Sequence, residues 1–258
     1  MTPTLHAARP ILSLAALLAA ALALTFAAPA RAAGEGTMLR VGFGSVTGSG
    51  KIQTDTRALG GFQAISLKTP ANLVLRQGSR EGVELRADDN ILPLIETRVV
   101  DGTLEIRGRD GASYSTKTKP VVTVDLIKLN GLSVSGSGDV SGDGLKSPAL
   151  KIAVSGAGDI RLNKLAVDDL GIKVTGSGDI RFNGRAGKLG IAIAGSGDVE
   201  SAGLEADEVS VSISGSGNAS VNARKTLAVS IAGSGDVVYT GDAVPKTAIA
   251  GSGTVRKK

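Results

Sequence analysis

The tripeptide Gly-Ser-Gly, or its near copy Gly-Ala-Gly, begins at Gly136, Gly156, Gly176, Gly195, Gly215, Gly233 and Gly251, in steps of 20, 20, 19, 20, 18 and 18 residues. Self-similarity at a spacing near 20 residues predicts a solenoid, because one short unit cannot bury its apolar face alone and must stack on its neighbours. Each period holds two segments that alternate apolar and small or polar residues. The first reads Leu150/Ile152/Val154, Leu170/Ile172/Val174, Leu189/Ile191/Ile193, Val209/Val211/Ile213 and Leu227/Val229/Ile231. The second follows the turn and an Asp, as Ile160/Leu162, Ile180/Phe182, Ala219/Val221 and Val237/Tyr239. Alternation at period two is a strand pattern. Like residues stacked at strand spacing give an all-β fold, a parallel β-helix-like solenoid. Glycine at the turn is expected to supply backbone conformations with φ > 0.

Residues 41–130 are less regular. They carry candidate strands at 51–57, 62–68, 71–76, 82–87, 97–100, 103–107 and 121–126, and Asp101-Gly102 between two of them is a hairpin signal. One short helix is expected over Asp89–Ile95, capped by Asp88 or Asp89. Gly48-Ser49-Gly50 echoes the later turn, so the early strands are read as the start of the same solenoid. At the other end, Pro245 and the tail Arg256-Lys257-Lys258 are expected to block end-to-end stacking.

Residues 1–32 have the three parts of a secretory signal peptide: a short start with Arg9, the apolar run Ile11–Ala28, and the small-x-small site Ala30-Arg31-Ala32. The run is also close to membrane-spanning length, so a retained anchor stands as the alternative to cleavage. No cysteine follows it, which excludes a lipidated N-terminal Cys, and no second apolar stretch approaches that length. The expectation is a short linker at 33–40 and one solenoid domain at 41–255, regular from 131 onward, in an exported protein. Cleavage would lower the net charge from +5 to +3 by removing Arg9 and Arg31. That is too mild for a nucleic-acid partner, which would also want aromatic stacking platforms. With no cysteine, the exported chain has no disulfides to rely on.

Taken in order, the motifs are Val46-Thr47-Gly48-Ser49-Gly50, Gly61-Phe62-Gln63-Ala64-Ile65, Ala87-Asp88-Asp89-Asn90-Ile91-Leu92-Pro93, Asp101-Gly102-Thr103-Leu104 and the serial Ser-Gly-Ser-Gly-Asp. This set resembles the bacterial head GIN domain family, labelled auto-transporter adhesins, across residues 41–255. The resemblance implies a right-handed β-helix-like fold in a protein exported to the periplasm or cell surface of a bacterium, whose biochemical role is undefined. The chain has no stretch able to form a translocator barrel of many strands of ~10 residues, so self-transport is not expected.

The main polar feature is a file of aspartates after the turn: Asp139, Asp159, Asp179, Asp198 and Asp236, with Asn218 and Thr254 in the same place in the remaining coils. Stacked carboxylates repel, by about 1 kcal/mol per neighbouring pair at water's dielectric and several at an effective value of 20. Calcium could relieve this, or each Asp could accept amides of its own turn. The turn reading is preferred, since the known calcium repeat has a nine-residue period and Asn218 interrupts the file. Arg161 and Arg181 are expected to offset Asp159 and Asp179, and Asn163, Asn183 and Asn222 to form an amide ladder.

Catalysis finds little footing. The lone His6 lies in the signal segment, which leaves neither His nor Cys for nucleophilic routes or zinc. No cofactor is expected. A carboxylate-based carbohydrate enzyme would draw on Asp168, Asp169, Glu205, Asp207 and Glu208, but aromatic residues for sugar are scarce. Gly190, Ala192, Ser210, Ser212, Ala228 and Ser230 point outward as a flat, nearly uncharged face, open to a partner or merely solvated. The leading expectation is a non-enzymatic, adhesin-like envelope module for an undefined protein or glycan ligand. The alternatives are a periplasmic scaffold that self-associates through its ends or flat face, and, behind it, the carbohydrate-active enzyme.

Overall fold

The structure, a computed structural model, describes residues 45–258. The expected signal segment at 1–32 and linker at 33–40 lie outside them. The first strands are β1 (Val46–Thr47), β2 (Ile52–Arg57), β3 (Ala64–Lys68), β4 (Asn72–Gln77), β5 (Gly82–Asp88), β6 (Ile95–Val100), β7 (Thr103–Gly108), β8 (Tyr114–Ser115) and β9 (Val121–Leu126). The regular part follows as β10 (Gly131–Val134), β11 (Val140–Asp143), β12 (Lys146–Val154), β13 (Ile160–Val174), β14 (Ile180–Gly195), β15 (Val199–Gly215), β16 (Ala219–Gly233), β17 (Val237–Thr240), β18 (Val244–Gly251) and β19 (Val255–Lys257). The chain is a β-solenoid.

Two parallel files run through it. One joins β7, β3, β10 and β12 to the later halves of β13 to β16 and ends on β18. The other joins β9, β4 and β11 to the earlier halves of β13 to β16 and ends on β17 and β19. The predicted alternation holds in both, as in the buried columns Leu150–Leu170–Leu189–Val209–Leu227 and Ile160–Ile180–Val199–Ala219–Val237.

Each coil also has a third inward run that the two-segment reading lacked: Leu165 and Val167, then Ala186, then Leu204 and Ala206, then Ala223. Its side chains are smaller and less regular because the change in coil length is absorbed there. Register shifts fall at Leu162/Leu165, Arg181/Asn183, Ser201/Glu205 and Ala206/Glu208, while the Gly-Ser-Gly corner and its flanking strands stay in step. An extra residue taken up in a bulge leaves the rest of the ladder in register.

At the N-terminal end β3, β4, β7 and β9 lie in the two parallel files, as expected of strands that begin the same solenoid, and antiparallel pairs are added around them. β2 pairs antiparallel with β5, β5 with β9, and β6 with β7. The β6–β7 turn is the Asp101-Gly102 hairpin, both residues at positive φ (48° and 70°). The expected helix at Asp89–Ile95 is only a 3-10 turn, Leu92–Leu94, with Pro93 in its first positions and no side-chain cap. The aspartates before it are occupied elsewhere. Asp88 is buried, accepts the Gly50 N–H and the Thr116 hydroxyl, and with Asn90 clamps residues 47–50 against the body. Gly48-Ser49-Gly50 is therefore a strap held by side chains, not a stacked corner.

The corner glycines meet a condition stricter than the one expected. In Gly215, Gly233 and Gly251 the φ values are 142°, 144° and 132°, but Gly136, Gly156 and Gly176 have no positive φ. All of them share close backbone approach: a β-carbon on Gly156, Gly176, Gly215 or Gly233 would collide with the carbonyl oxygen of the corner glycine one coil earlier. Gly176→Ala should therefore cost ~2 kcal/mol or more, in the upper part of the range for single substitutions. Gly171→Ala, where a β-carbon meets only Lys151 Cγ at 3.9 Å, should stay within about 0.5 kcal/mol. Denaturant melts of the two variants test this.

Candidate functional site

The aspartate file lies at the corner between the two parallel files, where each rung is closed by a reciprocal pair of hydrogen bonds. The Asp179 N–H donates to Asp159 Oδ1 at 3.1 Å, and the Ile160 N–H donates back to the Asp179 carbonyl oxygen at 2.9 Å. The same side-chain link runs from Asn72 Oδ1 to the Asp139 amide, then up the file to Asp159, Asp198, Asn218, Asp236 and Thr254, at 2.8 to 3.4 Å. The carboxylates thus accept the amide of the next coil, not of their own turn as anticipated. Asn218 joins because an amide oxygen accepts the same N–H, and Thr254 closes the file by donating both its N–H and its hydroxyl to Asp236. Those two Thr254 bonds, hydroxyl first, hold Asp236 below the ordinary carboxylate range.

The flanking cations are distributed differently from the expectation. Arg161 reaches Asp159 at 3.4 Å, but Arg181 turns to Glu200 with bonds of 2.7 and 3.0 Å. That pairing, led by the Arg181 hydrogen bond, holds Glu200 low. The asparagine ladder has two rungs, Asn183 Nδ2 donating to Asn163 Oδ1 at 2.8 Å. Asn222 stands in register with Glu205 and Thr240 and does not join it.

The carboxylates considered for sugar chemistry are largely tied to cations of adjacent coils. Glu205 faces Arg185 at 3.7 Å, Glu208 faces Lys188 at 3.6 Å, and Asp207 takes Lys225 at 2.8 Å and Arg224 at 3.6 Å. The Lys225 hydrogen bond holds the Asp207 carboxyl below its usual range. Asp169 is in register with Lys188. Among the described residues, no group of three or more His, Cys, Asp or Glu is placed to hold a metal ion.

The flat face predicted from Gly190, Ala192, Ser210, Ser212, Ala228 and Ser230 is present on the outside of the first file. Two adjoining shallow depressions of about 540 and 450 Å³ run along it and share Ile191, Ser210 and Ser212. Lys151 and Lys173 border one, and Lys246 the other. None of these three lysines appears in an ion pair among the described residues. The sequence alone gave the small residues but not their basic ends, which become visible once Lys151 is placed in the column of Gly171, Gly190, Ser210, Ala228 and Lys246.

The chain belongs to the family described as "putative auto-transporter adhesin, head GIN domain", which it matches over residues 61–243. Its fold is similar to a crystal structure from Bacteroides fragilis described as a putative adhesin, with 26% identity, a TM-score of 0.80, and 83% of this chain and 100% of that one covered. A putative adhesin from Parabacteroides merdae matches at 25% identity and a TM-score of 0.65, covering 83% and 99%. A structure from Parabacteroides distasonis described as a putative lipid-binding protein shares the fold at 23% identity and a TM-score of 0.71, covering 83% and 99%. No curated protein matches the chain in sequence. The family and two of these structures carry adhesin labels and the third a lipid-binding label; none of the three structures is labelled an enzyme. Among the described residues, no helix is long and apolar enough to cross a membrane.

Two predictions follow from the corner chemistry. Asp236, Asp207 and Glu200 have folded-state pKa values below their unfolded ones, so their stabilisation is present above the unfolded values and is lost as pH falls through the folded ones. The melting temperature should be flat near neutrality and drop below about pH 4, and Asp236→Asn should soften that drop while lowering the melting temperature at neutral pH, as read by circular dichroism. Calcium or chelator should leave the melting temperature unchanged; a rise with calcium would instead show that the file holds the ion.

Proposed function

We propose that this chain is an exported, non-enzymatic, adhesin-like interaction module that presents the flat face of its solenoid to an extended protein or glycan ligand. The observation that carries the reading is the face itself: two adjoining depressions floored by backbone and small side chains, with lysines at both ends that form no ion pair among the described residues. Small outward residues let a ligand lie against the strands without displacing long side chains, whose ordering would cost about 0.5–1.5 kcal/mol each. The lysines favour a ligand carrying negative charge and would speed its approach. Family membership and the adhesin label on the Bacteroides fragilis relative support the same reading. The signal-like first 32 residues support export.

Protease treatment of intact cells, beside cells with the outer membrane opened, tests the location. Digestion on intact cells is expected, whereas protection until opening would favour a periplasmic scaffold. Ala192→Arg with Ser212→Arg should keep the fold, since both side chains point outward, and should abolish capture on a mixed array of glycans and matrix proteins. Unchanged capture by that variant would remove the flat face as the contact surface.

A further inference from the structure

The inward columns stay apolar through the regular coils and change character in the last one. Leu227, Val229 and Ile231 of β16 are buried, and the residues stacked on them in β18 are Pro245, Thr247 and Ile249. In the second file, Tyr239 of β17 is followed by Lys257 of β19. Leu, Val and Tyr thus give way to Pro, Thr and Lys in a single step. Ile249 and Val255 keep their apolar character and roof Ile231 and Val237 beneath them.

The backbone of β18 points the same way. Lys151 donates its N–H to the Asn130 carbonyl of the preceding coil, as Ser252 does to Gly233. Lys246 shares the column of Lys151, so the amides of Lys246, Ala248 and Ala250 face back into the solenoid. The amide positions of Pro245, Thr247 and Ile249 then face its end. Proline is placed where its missing donor costs the body nothing and removes one from the edge. Lys246, Arg256 and Lys257 crowd the same end and would meet their own copies in any end-to-end pair of like ends.

We infer that the coil made by β18 and β19 is a stop, built to keep a second copy of this chain from continuing the solenoid. The inference is independent of the flat face and of any ligand it takes. It assigns Pro245, Thr247 and Lys257 to one task, denying a neighbour both an apolar surface and a full row of backbone donors. Terminal repeats with polar outer positions are the general requirement for solubility in stacked-repeat proteins.

The test is light scattering of the full exported chain over a concentration series, for the wild type and for Pro245→Leu/Thr247→Val/Lys257→Tyr, which extends the apolar columns by one coil. The wild type should keep the mass of one chain. The triple variant should rise to two chains or more with concentration, and adding Ile249→Asp should return it to one. Thr247→Val alone, a smaller change less able to upset folding, should move in the same direction. A triple variant that folds and stays at one chain would overturn the inference. So would wild-type association that Ile249→Asp abolishes.

Discussion

Everything in this solenoid depends on how closely the backbone of one coil approaches the next at the Gly-Ser-Gly corner. A β-carbon at Gly156, Gly176, Gly215 or Gly233 would strike the glycine carbonyl one coil earlier. The corner can close only if those positions carry no side chain. Once it closes, the following aspartate is brought within hydrogen-bonding distance of the next coil's amide, and the reciprocal pair of bonds fixes the step from coil to coil. The net contribution of each such bond is about 0.5–1.5 kcal/mol, and more where the acceptor is charged. Exposed ion pairs such as Lys188–Glu208 contribute about 0–1 kcal/mol and follow from the register, without setting it.

A fixed corner lets the remaining sides of the coil differ in how much variation they carry. The two strand segments next to it hold their register throughout, so their inward columns pack like on like and their outward columns form an ordered surface. The third side takes up the changes in coil length, and there the inward residues shrink to Ala186, Ala206 and Ala223. The flat face belongs to the well-registered side. Its smoothness follows from Gly171, Gly190, Ser210 and Ala228 falling next to one another in one column, with Lys151 and Lys246 on either side of that run.

Much of this was legible in the sequence because period and alternation are local signals. The buried columns, the Asp101-Gly102 hairpin and the early strands can be read from spacing alone. What resisted reading depends on which coil a side chain faces. Asp159 looks like a turn residue in sequence, and only the stacking shows that its partner is the Asp179 amide. Arg181 sits two residues from Asp179 but bonds Glu200, because the neighbouring coil brings a carboxylate into bidentate reach. Asn222 matches Asn163 and Asn183 by position after the turn, yet the register shift after Ser201 carries it out of line. Asp88 and Asp89 carry helix-cap chemistry, but long-range contacts to the 47–50 strap compete for it, and Pro93 leaves room for a single 3-10 turn.

The most direct test of the corner as the source of coil register is native-state hydrogen exchange resolved by residue. The amides of Asp159, Asp179, Asp198, Asn218 and Asp236 should exchange only through global unfolding, as slowly as those of the buried strand residues beside them. Rapid exchange at these corners, with the strands still protected, would contradict the account: the coils would then be held by their apolar columns, and the aspartate file would be ornament on a fold set elsewhere.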